Sequence, residues 1–94
     1  MARGIQYASS ESITVSTSSV GLTTATIAGR EEAFITVESQ AVRFWLDGTA
    51  PTATVGHVLD AGDILRLDSS ESLEDVRFIR RDATDATLRC SFGA

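Results

Sequence analysis

The stretch VRFWLDGTAPTATVGHVLDAGDILRL, Val42–Leu67, decides the fold. It opens with Val42, Phe44 and Leu46 on one face and Arg43 and Trp45 on the other. That is the period of two by which successive side chains of a strand point to opposite sides. Asp47-Gly48 then marks a turn, and Pro51, which has no N–H for a ladder, ends regular pairing. Thr52–Gly56 carries the chain to a short strand at Val58-Leu59, and Ala61-Gly62-Asp63 turns it into another at Ile64–Leu67.

Upstream, Ala33–Glu38 alternates in the same way, with Ala33, Ile35 and Val37 on one face. Ser39-Gln40 is so short a connection to Val42–Leu46 that an antiparallel hairpin is the economical expectation. Ile13 and Val15 give the first strand signal, and the β-branched residues of Thr24–Ile27 suggest a short strand before the turn at Gly29-Arg30-Glu31-Glu32. Residues Met1–Ser12 are polar and small, and read as an N-terminal arm anchored only by Ile5 and Tyr7. Such an arm is either a frayed end or a segment that packs on a neighbouring subunit.

Downstream, Asp68–Glu74 is a polar loop with room for one helical turn, capped by Asp68 or Ser69 and anchored by Leu73. Val76–Arg81 and Ala86–Phe92 are expected to form the last strand pair. Ala86, Leu88, Cys90 and Phe92 alternate with Thr87, Arg89 and Ser91 in the cleanest period-two run of the chain. No apolar stripe of helical period persists. The fold class expected is therefore all-β: a single antiparallel β-sandwich or jelly roll of seven to eight short strands, with at most one helical turn. It occupies residues 13–94, behind the arm at 1–12.

Ninety-four residues make one small domain whose core is modest unless it oligomerises. The net charge of -5 disfavours wrapping nucleic acid, which needs a dense cationic patch. No run reaches the roughly 18 apolar residues of a membrane span, and the first residues lack the apolar core of a signal peptide. All eight basic residues are arginine. That suits planar contacts to carboxylates and aromatics, and it is equally what a GC-rich coding bias produces.

Catalytic and metal chemistry find little footing. His57 is the single histidine, and no nucleophile elbow accompanies it. Its expected role is structural, its ring hydrogen-bonding backbone at the loop exit. Cys90, the single cysteine, lies on the apolar face of its strand and forms no internal disulfide. One His and one Cys make no zinc site, and the many turn carboxylates match no EF-hand spacing. Turn chemistry explains them more simply than calcium does. No cofactor, metal or enzymatic activity is expected.

The surface is more informative. Trp45 and Arg43 point away from the Phe44 face, and Arg66, Arg77 and Arg89 lie opposite Leu65, Phe78 and Leu88. Aromatic and arginine side chains together are the composition of a protein interface. The competing reading packs Trp45 beneath a loop and pairs the arginines with acids. The interface candidates are Ile5, Tyr7, Arg43, Trp45, Arg66 and Arg89.

The segment from Gly21 to Leu67 resembles a pattern of small proteins encoded in phage structural-gene clusters. The elements that carry it are ITVE at Ile35–Glu38, VRFWLDGTAPT at Val42–Thr52, Gly56-His57 and Gly62-Asp63. The closing TDATLRCSF at Thr84–Phe92 resembles the last strand of that family. The resemblance implies a virion component of capsid decoration (head auxiliary) type, without catalytic residues, assembled in the cytoplasm of the infected host cell. Its implied partners are the major capsid protein or another virion protein and further copies of itself, a trimer being favoured. A weaker likeness at Leu46–Thr52 to β-sandwich modules attached to glycoside hydrolases implies the alternative, a carbohydrate-binding or accessory domain in which Trp45 stacks on sugar.

Overall fold

A computed structural model of the chain describes residues 6–93. Its elements run β1 (Tyr7–Val15), α1 (Thr24–Ile27), β2 (Glu32–Glu38), β3 (Val42–Trp45), β4 (His57–Leu59), β5 (Ile64–Leu67), α2 (Ser70–Asp75), β6 (Arg77–Arg80) and β7 (Ala86–Gly93). A four-stranded antiparallel sheet in the order β1-β7-β2-β5 faces a three-stranded one in the order β4-β3-β6. This is the expected small all-β sandwich. Among the described residues no helix is long and apolar enough to cross a membrane.

The alternating faces meet in the middle. Ile13 and Val15 of β1, Ala33, Ile35 and Val37 of β2, and Ala86, Leu88, Cys90 and Phe92 of β7 pack against Val42, Phe44, Leu59 and Phe78 of the other sheet. Each fully buried aliphatic or aromatic side chain contributes about 1.5–3 kcal/mol. A core this small therefore depends on nearly all of them.

Two expected pairings are replaced by sheet crossings. β2 and β3 do not form a hairpin. Ser39, at φ 69°, sits under a Gln40 N–H to Glu38 C=O hydrogen bond of 2.8 Å, and this tight reversal sends the chain into the opposite sheet. Both edges of β2 are already taken, by β5 and by seven register pairs with β7, a longer ladder than four-residue β3 offers. Likewise β6 and β7 are not partners. β6 lies beside β3 with Phe78 opposite Phe44, while β7 runs between β1 and β2.

The N-terminal boundary also moves. β1 begins at Tyr7, so residues 7–12 of the expected arm are paired with β7, with a bulge between Tyr7 and Ser9. Ile5 lies outside the described residues. Thr24–Ile27 is a single helical turn rather than a strand. Burial of Ile27 and the Gly29 turn at φ 74° override the β-branched preference, which is strongly context-dependent. α2 is the anticipated turn: the Ser69 hydroxyl accepts the Ser72 N–H at 3.1 Å, and Leu73 is buried.

Candidate interaction faces

The two sheets leave two outer faces of different character. On the four-stranded sheet the outward residues fall into rows across the strands. Ser10, Ser91, Phe34 and Arg66 form one row, and Ser12, Arg89, Thr36 and Ile64 the next. Tyr7 lies on the same face, opposite Gly93, which is in turn opposite Glu32. Tyr7 is 43% exposed and Ile64 53%. The Arg66 guanidinium carbon stands 4.8 Å from the centre of the half-buried Phe34 ring, a cation–π contact. Arg89 donates to the Ser12 hydroxyl at 2.6 Å and pairs with Glu38 at 3.2 Å. The remainder of the face is largely hydroxyl: Ser10, Ser12, Thr14, Thr36, Thr87 and Ser91. Among the described residues the side-chain hydrogen bond and ion pair on this face, from Arg89, stay within the sheet.

The face of the three-stranded sheet is different because a loop is tied to it. Arg43 donates from Nε to the Ala53 carbonyl and from its terminal nitrogen to that of Gly56, each at 2.9 Å. Residues 47–56 are thereby held to the sheet, with Pro51 buried and Gly56 at φ 139° close to both Pro51 and Arg43. Trp45 is half-buried with its ring edge against His57, 5.0 Å between centroids, and it pairs in register with Arg77. His57 packs between Trp45 and Phe44, 5.2 Å from the latter. Among the described residues it takes this aromatic packing in place of the expected backbone hydrogen bond.

The candidate residues thus separate. Tyr7, Arg66 and Arg89 are brought onto one open face. Arg43 and Trp45 lie on the other, where Arg43 is committed to a loop. Phe34 and Ile64 join the first group and were passed over in the sequence. Phe34 stands out of phase with the buried Ala33 and Ile35 on either side of it, the same signal that singled out Trp45, whereas Ile64 has exposed Asp63 and half-buried Leu65 as neighbours.

Other features offer less. A cleft of about 480 Å³ lies between α1 and α2, lined by Ile27, Ala28, Arg30, Glu31, Ser70 and Glu74. Its lining carries one guanidinium, Arg30, and two carboxylates, Glu31 and Glu74. Among the described residues no three His, Cys, Asp or Glu side chains gather to hold a metal. The Asp47 carboxyl is held below its usual range chiefly by the Thr49 hydroxyl, and Asp85 by Ser16 and then Arg80. Both carboxylates lie at the surface.

Comparison of the chain with protein-family models, with curated proteins and with solved structures returned no match.

Proposed function

We propose that this chain is a non-enzymatic structural component of a phage particle, a capsid decoration protein that binds the head lattice through the outer face of β1-β7-β2-β5. The observation that carries the reading is the gathering of Tyr7, Phe34, Ile64, Arg66 and Arg89 on one uncovered sheet face. It unites aromatic and aliphatic anchors with guanidinium groups, and aromatic and arginine side chains are the types that protein interfaces favour. The sequence resemblance to phage structural proteins supplies the identity of the partner: the major capsid protein or another virion protein.

The mechanism is mass action. A protein that binds only the assembled lattice stabilises it by RT ln(1 + [L]/Kd) at each site, and an oligomer gains further from multivalent attachment. The test is thermal melting of capsids with and without the protein. The wild type raises the capsid melting temperature, and the Phe34→Ala/Arg66→Ala variant loses most of that protection. Loss with Trp45→Ala but not with the double variant would move the binding surface to the other sheet. Protection by none of the proteins would reject the decoration role.

A further inference from the structure

The chain has seven aspartates and no asparagine, and Asp47 alone is followed by glycine. The other six precede Ala, Ser, Ile or Val. That difference has a chemical consequence. The backbone nitrogen after an aspartate can attack the side-chain carboxyl carbon and close a five-membered ring. A side chain on the attacking residue hinders this approach, and glycine leaves it open.

The surroundings of Asp47-Gly48 favour that ring. Both residues are exposed, beyond the end of β3 at Trp45. The Thr49 N–H donates to Asp47 Oδ1 at 3.1 Å. A side chain that bonds the N–H two residues on is folded over the peptide between them, which holds the carboxyl carbon on the side of the Gly48 nitrogen. Gly48 has φ 87°, and apart from its chain neighbours no atom lies within 4 Å of the place where a Cβ would stand. Among the described residues no guanidinium pairs with Asp47, and no backbone hydrogen bond holds the Gly48 N–H.

We propose that Asp47-Gly48 is a site of spontaneous backbone modification, where the main chain is rerouted through the Asp47 side chain to give isoaspartate. The Gly48 nitrogen bonds to Asp47 Cγ, its proton and the carboxyl hydroxyl leave as water, and the product is a cyclic imide. Water then adds to one of the two ring carbonyls. Breaking the bond from nitrogen to Cγ restores aspartate. Breaking the bond from nitrogen to the main-chain carbonyl carbon leaves the chain running through Cβ and Cγ, with the former main-chain carbonyl as a carboxylate. The water lost in the first step returns in the second, and no oxidant or reductant takes part.

Thr49 sets the pace. Its hydroxyl first, and then its N–H, keep the Asp47 carboxyl below its usual range and so ionised, whereas ring closure needs the neutral acid. The modification lengthens the main chain by one methylene where β3 passes into the 47–56 loop, ahead of the Arg43 bonds to Ala53 and Gly56. It changes the loop of the three-stranded sheet and leaves the outer face of β1-β7-β2-β5 as it is.

The experiment holds the folded full chain for weeks in mildly acidic buffer. Isoaspartate is located by electron-driven fragmentation in a mass spectrometer, which splits its Cα–Cβ bond and gives a fragment that aspartate does not. The expected product carries isoaspartate at position 47 before any other aspartate converts. Thr49→Val keeps the N–H that positions the carboxyl and removes the hydroxyl that keeps it ionised. It is expected to raise the rate about fivefold, the factor that one ordinary hydrogen bond contributes. No isoaspartate at position 47 in either protein, or its earlier appearance at another aspartate, overturns the proposal. An unchanged rate in Thr49→Val overturns the restraint assigned to the Thr49 hydroxyl. Capsid melting reads the other sheet and decides the decoration role independently.

Discussion

Cys90 sits in β7 between Glu11 of β1 and Ile35 of β2, with its thiol in the core and only 3% of the residue exposed. Desolvation, and after it the nearby Glu11 carboxylate, push the thiol from 9.0 up to about 12. The native protein therefore holds a proton that the unfolded chain releases above pH 9. This contribution to stability is fully present below pH 9 and is lost as the pH rises toward 12. Native protein at pH 8 is expected to resist a thiol-specific reagent that labels the urea-unfolded chain at once. Equal labelling rates would mean that the thiol is not held in the core. The same burial keeps the thiol protonated at neutral pH, whereas nucleophilic attack needs the thiolate.

At the scale of an element, the 47–56 loop is the segment that depends most on one side chain. Its backbone hydrogen bonds between Thr52 and Val55 are local, and its ties to the sheet are the two guanidinium bonds from Arg43. Hydrogen bonds to a charged donor contribute about 1.5–3 kcal/mol each when well shielded, and less where, as here, one of the two is exposed. Arg43→Ala is expected to lower global stability by about 1–3 kcal/mol and to raise hydrogen exchange selectively across residues 52–56. Arg43→Lys recovers little of this, because an ammonium group cannot span two carbonyls as a planar fork does. Unchanged exchange in Arg43→Ala would show that Pro51 and Gly56 hold the loop unaided.

For the whole molecule, Phe78 joins the parts. It is fully buried, its ring lies 6.1 Å from that of Phe44, and its backbone binds Val20. Phe78→Ala is expected to cost about 3–5 kcal/mol. That is a large share of the roughly 5–15 kcal/mol typical of a domain. Because the two sheets share one core, they should melt together. Trp45 fluorescence reports the three-stranded sheet and far-ultraviolet circular dichroism both sheets, and the two curves are expected to coincide. Separate transitions would mean that the sheets are not one cooperative unit.

The residues by themselves determined most of the strands and which side of each faces the core, though not the start of β1 at Tyr7 nor the helical turn at Thr24–Ile27. Period-two alternation at Ala33–Val37, Val42–Phe44 and Ala86–Phe92 is a local property, because side-chain direction follows from the backbone of the same few residues. The α2 turn was legible for the same reason, through Ser69 and Leu73. Which strand pairs with which was decided only in three dimensions. A short connection such as Ser39-Gln40 serves a hairpin and a sheet crossing equally well, and competition for the edges of β2 settled the choice. The same holds for the surface. Alternation placed Arg43, Trp45, Arg66 and Arg89 outward, but only sheet order put Arg66 and Arg89 on an open face beside Phe34 and Ile64 and left Arg43 tied to a loop. Facing is local to a strand, whereas neighbourhood and cover depend on segments far away in the chain.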